Sequence, residues 1–226
     1  MVSHALRSVA DCDAVWEKFL PSDYKSIISG SSSSSLLSPG KRRIYIFISV
    51  SIPFSFKMSF QLKKESGKKC YMLGARALSV IWGDTPSTWK SLPESRFSEV
   101  AELKLVWWLE VKGMIDIRIL SYNTNYAAYL VFKLRNKRTI EFRHRAVGLH
   151  INVGGITSWE VRRVSLDPSQ NGTQHVRERE DGWMEFFNEF GDDGTVQLCL
   201  REIDTSYYKQ GLIIEGIELR PKDTGS

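Results

Sequence analysis

Between residues 103 and 112 the chain reads Leu-Lys-Leu-Val-Trp-Trp-Leu-Glu-Val-Lys, with an apolar residue at every odd position and Lys104, Glu110 and Lys112 among the even ones. A period of two is the spacing of a β-strand with one buried and one wet face, and it does not suit a helix. Gly113 punctuates the run, and residues 115–119 alternate again. Residues 126–134 are apolar almost throughout, as in a strand covered on both faces. Residues 149–153, 196–201 and 216–220 add further alternating segments. Few helical stretches intervene, so the crossover helices of a parallel sheet are missing. The pattern predicts a mainly β chain, an antiparallel two-sheet sandwich.

Composition sets the remaining bounds. With 226 residues, 42% hydrophobic and 25% charged, the chain is excluded from the disordered, collagen-like and coiled-coil classes. A globule of this size buries roughly 70% of its unfolded surface, and so folds without disulfide staples. Lys+Arg 31 against Asp+Glu 26 leaves a net charge of +5, scattered along the chain. That surplus is not the basic stripe a nucleic-acid partner requires. Cys12, Cys70 and Cys199 are odd in number and far apart, which argues against a disulfide framework or a zinc site and for a reducing compartment. Residues 1–7 lack the apolar core of a signal peptide. The densest apolar run, 44–54, falls short of the ~20 residues that span a bilayer. A soluble intracellular protein with no membrane partner is expected.

Two zones precede the strands. Residues 3–20 have helical spacing, first Leu6, Val9 and Ala10, then Val15, Trp16, Phe19 and Leu20. Asp11 or Asp13 is placed to cap the second short helix, and Pro21 ends it. Two short helices form no core by themselves, so they dock either on the rest of the chain or on another protein. The second zone, 29–66, opens with Gly30 and a serine run, the composition of a flexible linker. Lys41-Arg42-Arg43 then reads as a solvated charge run or a nuclear address. Residues 44–50 have the β-branched and aromatic content of a strand.

No enzyme pattern survives inspection. GxGxxG, Walker-type GxxxxGK[ST], HExxH and GxSxG are all missing, and His144 and His150 are spaced too widely to pair on one strand. Neither a catalytic residue nor a metal or other cofactor is called for. Aromatic usage is what stands out: seven tryptophans. Trp107, Trp108 and Trp159 fall in strand patterns and read as core. Trp82 and Trp89 instead bracket the turn segment Gly83-Asp84-Thr85-Pro86-Ser87-Thr88. An exposed indole beside hydroxyl and carboxylate groups can lie against the apolar face of a pyranose. The alternative is that both rings pack back onto the sandwich.

Several segments resemble the phloem protein 2 family, with its Nictaba-type lectin domain: Gly67 through Leu78, Pro93 through Leu103, Tyr126 through Leu134, and Asp181-Gly182-Trp183-Met184-Glu185. Residues 13–24 resemble the end of the F-box in the F-box branch of that family. The resemblance divides the chain into truncated F-box helices (1–28), a linker with an unassigned insertion (29–66) and a lectin domain (67–222). It implies an antiparallel, jelly-roll-like β-sandwich with a short N-terminal helical segment, located in cytoplasm and nucleus. It also implies binding of N-acetylglucosamine oligomers or N-glycans, with Trp82, Trp89 and Glu202 as the carbohydrate-binding residues. Leu6, Val9, Val15, Trp16, Phe19 and Leu20 would be the surviving surface for the adaptor of a cullin-type ubiquitin ligase. Glycans or glycoproteins and that adaptor are the implied partners, and a homodimer is left open. The alternative within the resemblance is a ligase subunit that recognises protein targets without binding sugar. Three departures from the family pattern stand out. The front half of the F-box is missing; a second acidic position falls on Thr195; and the strand after Glu185 is cut short at Phe186-Phe187, which would leave neighbouring ladder groups unsatisfied at about 1–3 kcal/mol each.

Overall fold

A computed structural model of the chain describes residues 12–31, 40–49, 52–55, 57–85, 88–135, 142, 146–153, 156–157, 162–166, 176–190, 195–202 and 208–222. The described chain is mainly β. Its strands are β1 (Ile52–Ser55), β2 (Met58–Leu62), β3 (Lys69–Gly74), β4 (Ser79–Val80), β5 (Trp89–Lys90), β6 (Val100–Glu102), β7 (Leu109–Asp116), β8 (Tyr126–Leu134), β9 (Ala146–Val153), β10 (Ile156–Thr157), β11 (Arg162–Ser165), β12 (Val176–Glu178), β13 (Met184–Phe190), β14 (Thr195–Glu202) and β15 (Leu212–Pro221). The larger sheet has the order β1-β2-β3-β15-β8-β13-β12, with β6 also on β15 and β5 on β6. The smaller sheet runs β10-β9-β14-β7-β4, with β11 on β9. The pairings within both sheets are antiparallel.

The two sheets share one core. In β7 the odd positions are buried and the even ones lie outside, as the alternation predicts. Gly113 does not punctuate this strand; it sits in its middle. A Cβ there would lie 2.8 Å from Ile217 Cδ1 of β15 and 2.9 Å from Leu78 Cδ2, so the missing side chain lets the sheets approach. The expected strand nevertheless begins six residues late. Residues 103–108 bond elsewhere, Leu103 to Leu212 and Gly211 and Val106 to Lys209. Similarly, residues 117–119 leave the ladder as a 3-10 turn, capped by the Asp116 carboxylate.

Strand β8 is covered on both faces, as its apolar run predicts. Leu130 and Phe132 belong to the main core, whereas Val131 joins a second cluster with Met72, Phe97, Val100, Trp183 and Ile213. Beside that cluster lies a buried ionic network. Glu218 accepts from Arg179 at 2.7 Å and Arg96 at 3.3 Å. Glu185 accepts from Arg177, Arg179 and Arg220 at 2.5–2.9 Å. Burial pushes both carboxyls up, but the surrounding guanidinium groups outweigh it and hold both below the ordinary glutamate range. Strand β13 is not cut short: it pairs with β8 over its full length, from Met184 opposite Phe132 to Phe190 opposite Tyr126.

Among the described residues three helices precede the sheets: α1 (Asp13–Glu17), α2 (Tyr24–Ser29) and α3 (Lys41–Ile48). The stretch expected to be a strand is thus mostly helix. Ile44, Tyr45 and Ile48 recur at helical spacing and are buried, while Ile46 faces out. Its start is capped from a distance, because the Asp13 carboxylate accepts the Lys41 amide at 2.8 Å. Asp13 does not cap its own helix, whose N-cap is Cys12 without a side-chain bond; Asp11 lies outside the described residues. Leu20, Tyr24, Ile27 and Ile28 share the main core with Phe60 and Leu62, and Tyr45 donates to the Lys64 carbonyl at 2.8 Å. The helices therefore pack on the rest of the chain. Within 29–66, β1 pairs with β2, and β2 pairs with β3 over five residues, so that stretch contributes two strands to the larger sheet as well as α3.

Candidate functional site

The site is built on the turn that follows β4. Ile81 donates to the Glu110 carbonyl at 2.9 Å, and Gly83 to Val80 and Thr85 to Trp82 close successive turns. Trp82 adopts φ 64°, a left-handed conformation that a bulky side chain adopts at a cost of about 1–2 kcal/mol. The Thr88 hydroxyl helps hold it there, donating to the Trp82 carbonyl at 3.1 Å. Trp82 remains 45% exposed. It rests on Trp108, with ring centroids 5.2 Å apart.

Trp89 plays a different part. It lies in β5 opposite Ala101 and packs against the main core. Its indole N–H donates to the Gly83 carbonyl at 2.8 Å. The Arg76 guanidinium covers its ring at 3.7 Å, and Arg76 is itself held in two hydrogen bonds by Glu99, at 2.8 and 2.9 Å. That pairing holds the Glu99 carboxyl below its ordinary range. Trp89 therefore frames the loop from behind, while Trp82 presents a ring to solvent.

Glu202 ends β14 directly opposite Leu109, the residue after Trp108. Paired residues of an antiparallel ladder share a face, so the half-buried Glu202 lies on the face of the buried Leu109, at the strand end that adjoins Trp108. Thr195 is opposite Asp116, at the other end of β14. Seven residues of strand separate it from Glu202, about 23 Å at ~3.3 Å per residue. The missing carboxylate at Thr195 is therefore remote from this rim.

Trp107 and Trp108 are not the core pair that the alternation implied. Trp107 is 43% exposed, and Trp108 is half-buried beneath Trp82. Two consecutive residues of one strand point to opposite faces, so the doublet itself signalled that one ring had to leave the core. Trp159 lies outside the described residues.

Of the residues proposed for adaptor contact, Leu6 and Val9 lie outside the described residues. Val15 and Trp16 are half-buried, Phe19 is exposed and Leu20 is buried. The Trp16 ring meets Tyr45 of α3 at 5.2 Å, and Phe19 meets Tyr45 at 6.0 Å, so much of this apolar surface is spent within the chain. Cys12, Cys70 and Cys199 are free thiols, and burial pushes Cys70 up to about 12. Among the described residues no three metal-ligating side chains converge. The loop offers the open Trp82 ring with the exposed Asp84 carboxylate and Thr85 hydroxyl, a set of groups suited to holding a ligand.

Comparison with known proteins follows the same outline. Residues 68–221 match the family model described as Phloem protein 2. F-box protein PP2-B10 of Arabidopsis thaliana is 39% identical over 237 residues, covering 97% of this chain and 84% of that one. F-box protein PP2-B5 of the same plant is 36% identical over 239 residues, covering 99% and 79%. Among solved structures, an exo-beta-1,3-galactanase from Phanerochaete chrysosporium aligns over 72% of this chain and 33% of its own, at 8% identity and a TM-score of 0.37. A likeness that distant carries no argument about ligands.

Proposed function

Since the chain belongs to the phloem protein 2 family, we propose that it is the carbohydrate-recognition module of an F-box protein. Its ligand is an N-acetylglucosamine oligomer or N-glycan, bound at the Trp82 rim without catalysis. The observation that supports this most is the exposed Trp82 ring, held in a strained turn beside Trp108. A bulky residue kept at positive φ with its ring in water gains nothing for the core, and such strain clusters at binding sites. Trp82 stacks on the sugar, Glu202 accepts from its hydroxyls, and Trp89 positions the loop. The helical segment, with Phe19 exposed but Leu20 buried and Trp16 against Tyr45, keeps a reduced surface for the adaptor of a cullin-type ligase, through which glycosylated targets in cytoplasm and nucleus are presented for ubiquitination.

The magnitude follows from exposure. Covering the open 45% of Trp82 removes roughly 90 Å² of apolar surface from water, worth about 2 kcal/mol. Trp82→Ala should therefore weaken binding of chitotriose roughly thirtyfold, read by fluorescence titration, with the melting temperature close to wild type. Binding that survives the substitution unchanged would refute the assignment. One observation favours a second reading, recognition of protein targets without sugar: the Trp89 ring is already covered by Arg76. Target capture that persists after glycosidase treatment would select it.

A further inference from the structure

An exposed apolar group follows Glu102 at the end of β6. The pairing of β6 with β15 continues past that residue: Leu103 donates to the Leu212 carbonyl at 2.8 Å, and Val106 and Lys209 exchange backbone hydrogen bonds of 2.9 and 2.7 Å. The same register sets Trp107 opposite Tyr208, and their ring centroids are 3.9 Å apart. Leu103 and Val106 are buried, whereas Leu105, Trp107 and Tyr208 are 58%, 43% and 44% exposed. Leu105 and Trp107 flank the inward-facing Val106 and so share the outer face of the ribbon. The buried Lys209 ammonium braces that ribbon from behind, donating to the Trp107 carbonyl at 2.7 Å. Three large apolar side chains thus stand in water on a hydrogen-bonded backbone. The charge beside them is positive. The buried Glu102 is paired with Arg135 at 2.8 Å, Lys104 at 3.1 Å and Lys90 at 3.7 Å, and these three side chains are themselves 39–56% exposed. One carboxylate therefore answers three cations. Lys104 precedes Leu105, and the Arg135 amide donates to the Gly211 carbonyl at 2.8 Å, close in the chain to Tyr208, so the surplus borders the apolar face.

Size and charge together select the occupant. At the exposures observed, Leu105, Trp107 and Tyr208 leave roughly 300 Å² open, well under the ~800 Å² per partner of a stable interface between folded proteins. A second copy of the chain, docked on the same patch about a two-fold axis, would also set its own cations against these. A neutral saccharide leaves the cations unanswered. A nucleic acid leaves Leu105 without a part, because bases stack on rings. An extended peptide needs less area than a folded partner and lines alternate side chains along one face as apolar anchors. Carboxylates on the same peptide can accept from Lys90, Lys104 and Arg135. We propose that Leu105, Trp107 and Tyr208, bordered by these cations, form a docking surface for an acidic peptide segment with alternating apolar side chains. This surface lies beyond saccharide recognition and does not depend on it.

The test titrates the full chain into a fluorescein-labelled peptide of alternating glutamate and leucine, read by anisotropy. The wild type is expected to bind it, and to bind the same peptide with glutamine in place of glutamate several-fold more weakly. Trp107→Ala and Leu105→Ser should each weaken binding roughly tenfold, with melting temperatures near wild type. Leu105 is the most exposed of the three, so its variant keeps the test decisive even where Trp107→Ala disturbs a neighbour. Chitotriose affinity should be unchanged in Leu105→Ser. A wild type that ignores the peptide, or binds the glutamine version equally, overturns the proposal, as does binding that survives both substitutions. A single-stranded oligonucleotide bound more tightly than the peptide, and lost in the same variants, overturns it in favour of nucleic acid. The Trp82 reading stands through each of these results and fails only on its own chitotriose titration.

Discussion

Gly216 is the position where the sandwich has least room, and its replacement by alanine can be worked through from the structure. Gly216 lies in β15 opposite Gly74 of β3, just past a bulge that carries Glu215. A Cβ there would stand 2.0 Å from the Leu73 carbonyl oxygen and 3.0 Å from Met72 Cε. The obstructing atom is backbone, so no rotamer change relieves it, and β3 must retreat by about an ångström. The two strands pair over only four residues. Loss of about two ladder bonds costs roughly 2 kcal/mol, and displacement of the buried Met72 and Leu73 side chains adds about 1–2 kcal/mol. A total near 3–4 kcal/mol lowers the melting temperature by roughly 10 °C in a chain of this length. Gly182→Ala is the control: Gly182 has φ 75° but nothing within 4 Å of its Cβ, so only backbone strain of about 1–2 kcal/mol applies. Urea unfolding of the two variants should rank Gly216→Ala well below Gly182→Ala. The reverse order, or a Gly216→Ala protein within 1 kcal/mol of wild type, would refute the steric reasoning.

The buried ionic network predicts an acid limit. Glu185 and Glu218 are held below their ordinary range in the folded chain, so their stabilisation is fully present above the unfolded value of about 4.3 and is lost as pH falls through the folded values. Melting temperature should be level from pH 7 to about 5 and then fall. Glu218→Gln should melt lower at pH 7 and show a shallower acid decline; an unchanged decline would exclude Glu218 as a source of it. In the helical segment, Asp13→Ala removes the acceptor for the Lys41 amide and should cost about 1 kcal/mol. Asp13→Asn should retain most of that, with faster amide exchange confined to α3 in the alanine variant. Equal exchange in both variants would dismiss the cap.

Periodicity reported five strands that lie inside the sheets but not the inner strands β2, β3 and β13. Strands β7, β8, β9, β14 and β15 each overlap a segment whose apolar pattern is visible in the sequence. It failed where tertiary contacts chose among equal local options. Residues 44–50 are rich in β-branched and aromatic side chains, yet most of them form α3, because Ile44, Tyr45 and Ile48 find a core at helical spacing and Asp13 caps the helix start. Residues 103–108 continue the alternation of β7, yet they leave its ladder and bond instead to Lys209, Gly211 and Leu212.

The site divides in the same way. That Trp82 and Trp89 bracket a turn was evident from glycine and proline alone. Which indole faces water was not, because it depends on Arg76, Gly83 and Trp108, residues brought to the loop by separate parts of the fold. The sequence by itself determined an antiparallel β architecture, since a two-residue period buries one face whatever its neighbours are. Only the tertiary structure decided how the rings along the rim divide between open and covered, since exposure depends on the atoms that chain folding brings alongside, and local pattern carries no record of them.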